Sequence, residues 1–197
     1  MEAALQKIAS QTWYGTNADA EGFQGIASLL PFKNSPMVID AGGTAASTAT
    51  SVFAIRTDIQ AVQYAWGQNG KISNGEIVHC EQYASNMSKY WGYAQPITGY
   101  VGLQVPTLQC IGRICNITAE NGKGLTDGLL SQLLELFPVG KKPTMLFMSQ
   151  RSLGQLRRSR TATNGTGAEA PYPDSVFGIQ IYPSEAIINT EAVLAAA

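Results

Sequence analysis

The hydrophobic period of this chain changes once, near Ile117, and that change limits the possible folds more than any other feature. Before it the pattern is β. Ser51 to Ile59 alternates, with Val52 and Ala54 set against Phe53 and Ile55, and Ala61 to Trp66 is a second strand or the same strand after a bend. Gln68-Asn69-Gly70-Lys71 reads as a hairpin turn, because Asn-Gly reaches positive φ cheaply, so Ile72 to Cys80 is expected to pair back. Tyr90 to Thr98, Gly99 to Val105 and Gln109 to Ile117 supply further strands, with Pro106 at a bend or edge.

After Ile117, Leu129, Leu130, Leu133, Leu134 and Phe137 recur at helical spacing. Thr126 or Asp127 caps that helix, and Pro138 and Gly140 end it. A short buried strand follows from Thr144 to Met148. Ser149 caps a second helix from Gln150 to about Ser159, and Val176 to Tyr182 reads as a closing strand. At the other end, Leu5 and Ile8 place residues 1–12 at the end of a helix stopped by Gly15, and Gly15 to Gly22 is turn chemistry throughout. The order is helix end, many strands, then helix–strand–helix–strand. That is an α+β chain.

Composition narrows the function. Only 14% of the 197 residues are charged, against roughly 25% in an average soluble domain, so the surface must be largely neutral and poorly protected against association. The net charge of −1 argues against a dedicated nucleic-acid binder, while leaving room for one basic face. The start of the chain lacks the cationic and apolar regions of a secretory signal. Three cysteines, an odd number, favour a reducing compartment, where the Asn-x-Ser/Thr triplets at Asn86, Asn116 and Asn164 are chance matches.

Catalytic groups are sparse. His79 with Cys80, Cys110 and Cys115 makes a poor zinc set. Adjacent strand residues face opposite ways, and the Cys110–Cys115 gap separates those two as well. A Cys–His nucleophile meets the same objection, and there is no Gly-x-Ser-x-Gly elbow. Asp40-Ala41-Gly42-Gly43-Thr44 and Asn121-Gly122-Lys123-Gly124 fall short of the phosphate-loop pattern. The carboxylates form no close acidic pair. No catalytic residue, cofactor or metal is assigned, and a hydrolase using His79 or Cys80 is the weakest of three readings. Tyr90-Trp91-x-Tyr93 has the aromatics of a base-stacking platform but no interleaved cations, which favours core or interface.

One charge cluster stands out. Lys141, Lys142, Arg151, Arg157, Arg158 and Arg160 fall within 20 positions. Cations at a helix end favour its dipole, and the same cluster has the chemistry to contact an acidic partner or DNA phosphates.

Several segments, in order, resemble the major capsid protein of tailed bacteriophages, with its Hong Kong ninety-seven type fold. Gln11-Thr12-Trp13-Tyr14-Gly15 followed by Phe23-Gln24-Gly25-Ile26 is similar to the exit from that family's spine helix. Arg113-Ile114-Cys115-Asn116-Ile117 is similar to the end of a long strand. Leu146-Phe147-Met148-Ser149-Gln150-Arg151 running to Leu156-Arg157-Arg158 is similar to a strand and helix ending in Leu-Arg-Arg. Phe177-Gly178-Ile179-Gln180-Ile181 and Ile188-Asn189-Thr190-Glu191-Ala192 resemble the closing segments. Gln180 stands where proline is common, and Ser149 where asparagine is common.

The resemblance implies a strand-rich peripheral region over residues 1–118 and a mixed α/β axial region over 119–197, its two helices turned toward the capsomer centre. It implies a structural subunit of an icosahedral phage or prophage head that self-assembles into pentamers or hexamers and encloses DNA. Scaffold or decoration proteins are further partners it brings with it. The expected location is the virion, and the bacterial cytoplasm during assembly. Family members usually carry an N-terminal arm, an extended hairpin arm and most of the spine helix before the aromatic-Gly loop. About ten residues precede it here, so the expectation is a fragment, a processed form or a shortened homologue. The alternative is a non-enzymatic binding module that takes an acidic partner or nucleic acid through Lys141–Arg160.

Overall fold

A computed structural model describes residues 2–15, 22–67, 70–165 and 167–197. At its centre is a six-stranded mixed sheet. Its strands are β1 (Val38–Asp40), β2 (Thr50–Ile55), β9 (Ile111–Ile117), β10 (Met145–Met148), β11 (Ser175–Val176) and β12 (Ile179–Pro183), in the spatial order β1-β9-β2-β10-β12-β11. The β1–β9 and β10–β12 pairs are parallel and the other neighbours antiparallel. Three strands come from before residue 118 and three from after it, so both halves of the chain build one mixed sheet, and with the helices this makes the α+β class that the sequence reading expects.

Both faces of this sheet are covered at its centre. Every residue of β2 and of β9 is buried, which is why Ser51 to Ile55 shows no polar outer face despite its alternating sequence. On one face the register lines up Arg113, Phe53, Phe147 and Tyr182 across four strands. Trp13, from helix α1 (Glu2–Tyr14), lies on this row, with ring centroids 5.0 Å from both Phe53 and Phe147. Burying each such ring contributes on the order of 1.5–3 kcal/mol. The short helix α2 (Ile26–Leu29) packs beside α1.

The next row of the register is Gly112, Ala54, Leu146 and Ile181, and it faces the other way. Its small residues admit helix α3 (Asp127–Glu135). A Cβ on Gly112 would come within 2.9 Å of both Leu133 and Phe137. Thr126 caps α3 by accepting the Leu129 amide, and Ser149 caps helix α4 (Gln150–Ala162) by accepting the Ser152 amide. α4 lies beside α3 with Leu153 and Leu156 buried. It runs three residues past the expected end at Ser159.

Two expectations about turns are corrected. Gln63–Trp66 (β3) does not pair with Ile72 to Cys80. It pairs with Val101–Gln104 (β8), and inside that pair Ser73–Asn74 (β4) joins Ile97–Thr98 (β7) and Val78–Tyr83 (β5) joins Lys89–Ala94 (β6). The result is one long nested ribbon that reverses at Ala84–Ser88. There Asn86 Oδ1 accepts the Ser88 amide and Ala84 N donates to Ser88 O at 2.9 Å. The expected turn at 68–71 and the turn stretch 15–22 fall largely outside the described residues. Second, Val176 to Tyr182 is not one strand. It is a two-residue hairpin with Phe177 at φ 49° and Gly178 at φ 80°. Positive φ at both positions is the tight turn whose twist matches paired strands. A 3₁₀ turn (Leu108–Cys110) leads into β9, and the short edge strand β1 has no counterpart in the sequence reading.

Candidate assembly surface

The ribbon from Gln63 to Gln104 joins the core at its base and then runs beside α1, with Ile72, Ile97 and Tyr100 across a cleft from Ala4, Ile8 and Gln11. Between Trp66 and Val101 no described residue joins the hydrophobic core. At the base, Thr12 of α1 and Tyr64 share a hydrogen bond of 2.8 Å between hydroxyls. From Tyr64 to the tip the ribbon reaches at most roughly 50 Å at ~3.3 Å per strand residue, the limit being the shorter returning leg from Ser88 to Leu103.

Its two faces differ because strand neighbours alternate. His79, Glu81 and Tyr83 stand opposite Tyr93, Trp91 and Lys89 on one face. The other face carries Val78, Cys80 and Gln82 opposite Ala94, Gly92 and Tyr90. The first face is aromatic and exposed: Trp91 is 69% and Tyr93 78% accessible. The His79 ring sits 5.1 Å from Trp91 and 4.9 Å from Tyr93, centroid to centroid. Lys89 reaches Glu81 at 3.2 Å and lies over the Tyr83 ring, so the one cation beside the aromatics is neutralised. An aromatic strip whose charges are paired with each other is closer in composition to an interface centre than to a phosphate track.

Total accessible area makes the same point. The chain exposes 11,584 Å². A compact monomer of its mass exposes roughly 9,000 Å². The excess, roughly 2,600 Å², is about three times what one partner contributes to a standard interface (~800 Å²).

The basic cluster is not one patch of free charge. Arg160 makes a two-pronged pair with Asp127 at 2.7 Å on both bonds, and that hydrogen bonding raises the guanidinium pKa. Arg157 binds Glu169 at 2.6 Å, donates to Ala170 O, and stacks over Tyr172. Arg151 donates to the carbonyls of Thr48, Ile117 and Asn189, and its burial lowers its pKa. Lys141, Lys142 and Arg158 are exposed and form no ion pair among the described residues.

The body is pinned by a buried cluster whose members Tyr14, Arg113 and Glu191 lie in three of the segments that carry the resemblance, though their pairing is visible only in the fold. Arg113 donates to Ser51 Oγ, to Ala27 O and Leu30 O, and to Glu191 Oε2 at 2.9 Å. Glu191 also accepts from the Ser51 and Tyr14 hydroxyls, each at 2.6 Å. Burial, then the Glu191 charge, pushes the Tyr14 phenol far above its ordinary range. One carboxylate thus ties the end of α1, the α2 segment, β2, β9 and the C-terminal tail together.

The remaining candidates do not converge. Cys110 and Cys115 are buried, with burial pushing the Cys115 thiol up to about 12. His79 stands on the open ribbon face, opposite in sense to Cys80. No group of three or more His, Cys, Asp or Glu suited to a metal occurs among the described residues. The two glycine loops meet each other instead. Glu120 accepts the amides of Thr44 and Ala45 and the hydroxyls of Thr44 and Thr118, which hold its carboxyl down at about 2.

Compared with known families, residues 1–195 match the one described as major capsid protein GP7. The chain belongs to this family. It is therefore a phage capsid protein, a structural subunit of a multi-subunit shell in the virion, from a family whose members are structural rather than enzymatic. Searched against curated proteins, this capsid chain has no match. No described helix is long and apolar enough to cross a membrane. The long ribbon is what sequence reasoning missed. The signal available was Tyr90-Trp91-x-Tyr93 on a segment with no core partner.

Proposed function

We propose that this capsid subunit self-assembles into the pentamers and hexamers of a closed icosahedral head that encloses DNA, with the Hong Kong ninety-seven type fold. In this reading residues 1–118 form the peripheral region and 119–197 the axial region. The 63–104 ribbon takes on the bridging between neighbours that the resemblance assigns to arms ahead of the aromatic-Gly loop. The single observation that carries the proposal is the exposed aromatic ribbon with its excess surface, which a free monomer in water has no means to cover. Assembly begins in the host cytoplasm, with or without scaffold and decoration proteins.

Electron microscopy and light scattering of the full-length product test this. Rings or shells are expected, and a strictly monomeric product at high concentration refutes it. DNA is held without sequence specificity through Lys141, Lys142 and Arg158, the cluster members with no ion pair among the described residues. Replacing all three by Ala should lower the salt dependence of DNA binding by the unshielded interior face. An unchanged salt slope removes these residues from DNA contact.

A further inference from the structure

The ribbon is not the only part of the molecule that lacks a cover. Two hairpin tips hold a bulky apolar residue in the left-handed region and leave it in solvent: Met87, at φ 63° and 82% exposed, and Phe177, at φ 49° and 62% exposed. A side chain with a Cβ avoids that region, and the two-residue turn at 177–178 is one in which Asn-Gly is at home. Strain of this kind persists where something else repays it. The hairpin pairing of Val176 with Ile179 accounts for the positive φ but not for a phenylalanine there, whose exposed ring has no aromatic partner among the described residues.

The chain also carries a receptor of the right chemistry. A partly open cavity of about 440 Å³ lies between α1, the sheet and the ribbon base, walled by Trp13, Ile26, Val62, Tyr64, Leu103 and Phe147. A dry apolar cavity of ~150 Å³ already binds benzene, and the aromatic walls offer a phenyl ring edge-to-face contacts. The tip bearing Phe177 is short and closed by the Val176–Ile179 pair, so little freedom is lost when it docks.

We infer that Phe177 of one subunit seats in this cavity of a second copy of the same chain. The inference rests on the shell-subunit reading. It is the second copy that fits, because the family builds shells from copies of one chain, every copy brings both knob and cavity, and the roughly 2,600 Å² of excess surface exceeds what a single ribbon contact between two partners covers.

The test uses the full chain. Phe177→Asn makes the turn Asn-Gly. It should leave the subunit melting at the same or a higher temperature while raising the critical concentration for assembly at least tenfold. Leu103→Lys, which sets an ammonium in the cavity wall, should block assembly equally, with circular dichroism reporting its fold. Each variant keeps the half that the other lacks. An equimolar mixture should therefore sediment as dimers where each alone sediments as monomer. Assembly of Phe177→Asn at the parent's critical concentration, or a mixture that stays monomeric, overturns the inference. Loss of assembly with Met87→Asn but not with Phe177→Asn assigns the cavity to the ribbon tip and overturns it too. A parent chain that assembles alongside Phe177→Asn leaves the shell reading standing, whereas a parent that never assembles brings down both.

Discussion

Replacing Glu191 by glutamine changes almost no volume and removes one charge. In the folded chain Arg113 is 4% and Glu191 7% exposed, with 2.9 Å between them. The substitution leaves the guanidinium buried with two carbonyls, a hydroxyl and at most one amide oxygen for partners and no counter-charge. Breaking a buried pair from one side costs about 3–5 kcal/mol. In a domain of this size each kcal/mol moves the melting temperature by roughly 2–4 °C. The expected drop is therefore on the order of 6–20 °C, read by thermal and urea unfolding below the assembly concentration, where lattice contacts add nothing. The double variant Arg113→Met, Glu191→Leu removes both charges and should be more stable than either single variant. The carbonyls of Ala27 and Leu30, left without donors, should keep it short of the parent. A loss under about 1 kcal/mol for Glu191→Gln, or strict additivity in the double variant, refutes the reasoning that the pair is desolvated and coupled.

Gly112→Ala pushes a methyl against Leu133 and Phe137, and urea unfolding should show a loss of about 1–3 kcal/mol. An unchanged midpoint would mean that α3 does not press on β9. Glu120 titrates at about 2 when folded, below its ordinary 4.5, so its contribution is full above pH 4.5 and is lost as the pH falls toward 2. Glu120→Gln should flatten the stability–pH curve in that window, and an identical acid slope would contradict the assignment. Native alkylation near neutral pH should modify Cys80 alone of the three thiols, with Cys110 and Cys115 reacting only on unfolding. Mass spectrometry showing two or three adducts on the folded subunit would go against the burial described.

The two helices of the C-terminal half are legible from sequence because their information is local. Thr126 and Ser149 cap them, leucines recur at helical spacing, and Pro138 ends the first. The ribbon is not, because its pairing is decided at a distance. Asn-Gly at 69–70 is the strongest local turn signal, yet Gln63–Trp66 finds its partner at Val101–Gln104. The reversal falls at Ala84–Ser88, around a left-handed Met87 that no propensity recommends. Phe177 misleads for the same reason, since a phenylalanine between Val176 and Gly178 reads as strand. The density of Lys141–Arg160 is visible in sequence, but the partners that engage Arg157 and Arg160, Glu169 and Asp127, are placed beside them only by the fold. Arg113 and Glu191, 78 positions apart, both fall in segments that carry the family resemblance, but nothing in the linear pattern pairs them.

That separation has a bearing on how the subunit is made. At ~5–20 residues per second, a ribosome delivers Glu191 roughly 4–16 s after Arg113. Throughout that interval the nascent chain holds the Arg113 guanidinium without its native carboxylate, and Tyr14 at the end of α1 lacks its Glu191 acceptor. The adhesive ribbon, synthesised well before, is thus carried by a body that is still unlocked. Translation order makes the Arg113–Glu191 lock a late step, after the ribbon and the sheet strands it braces have emerged.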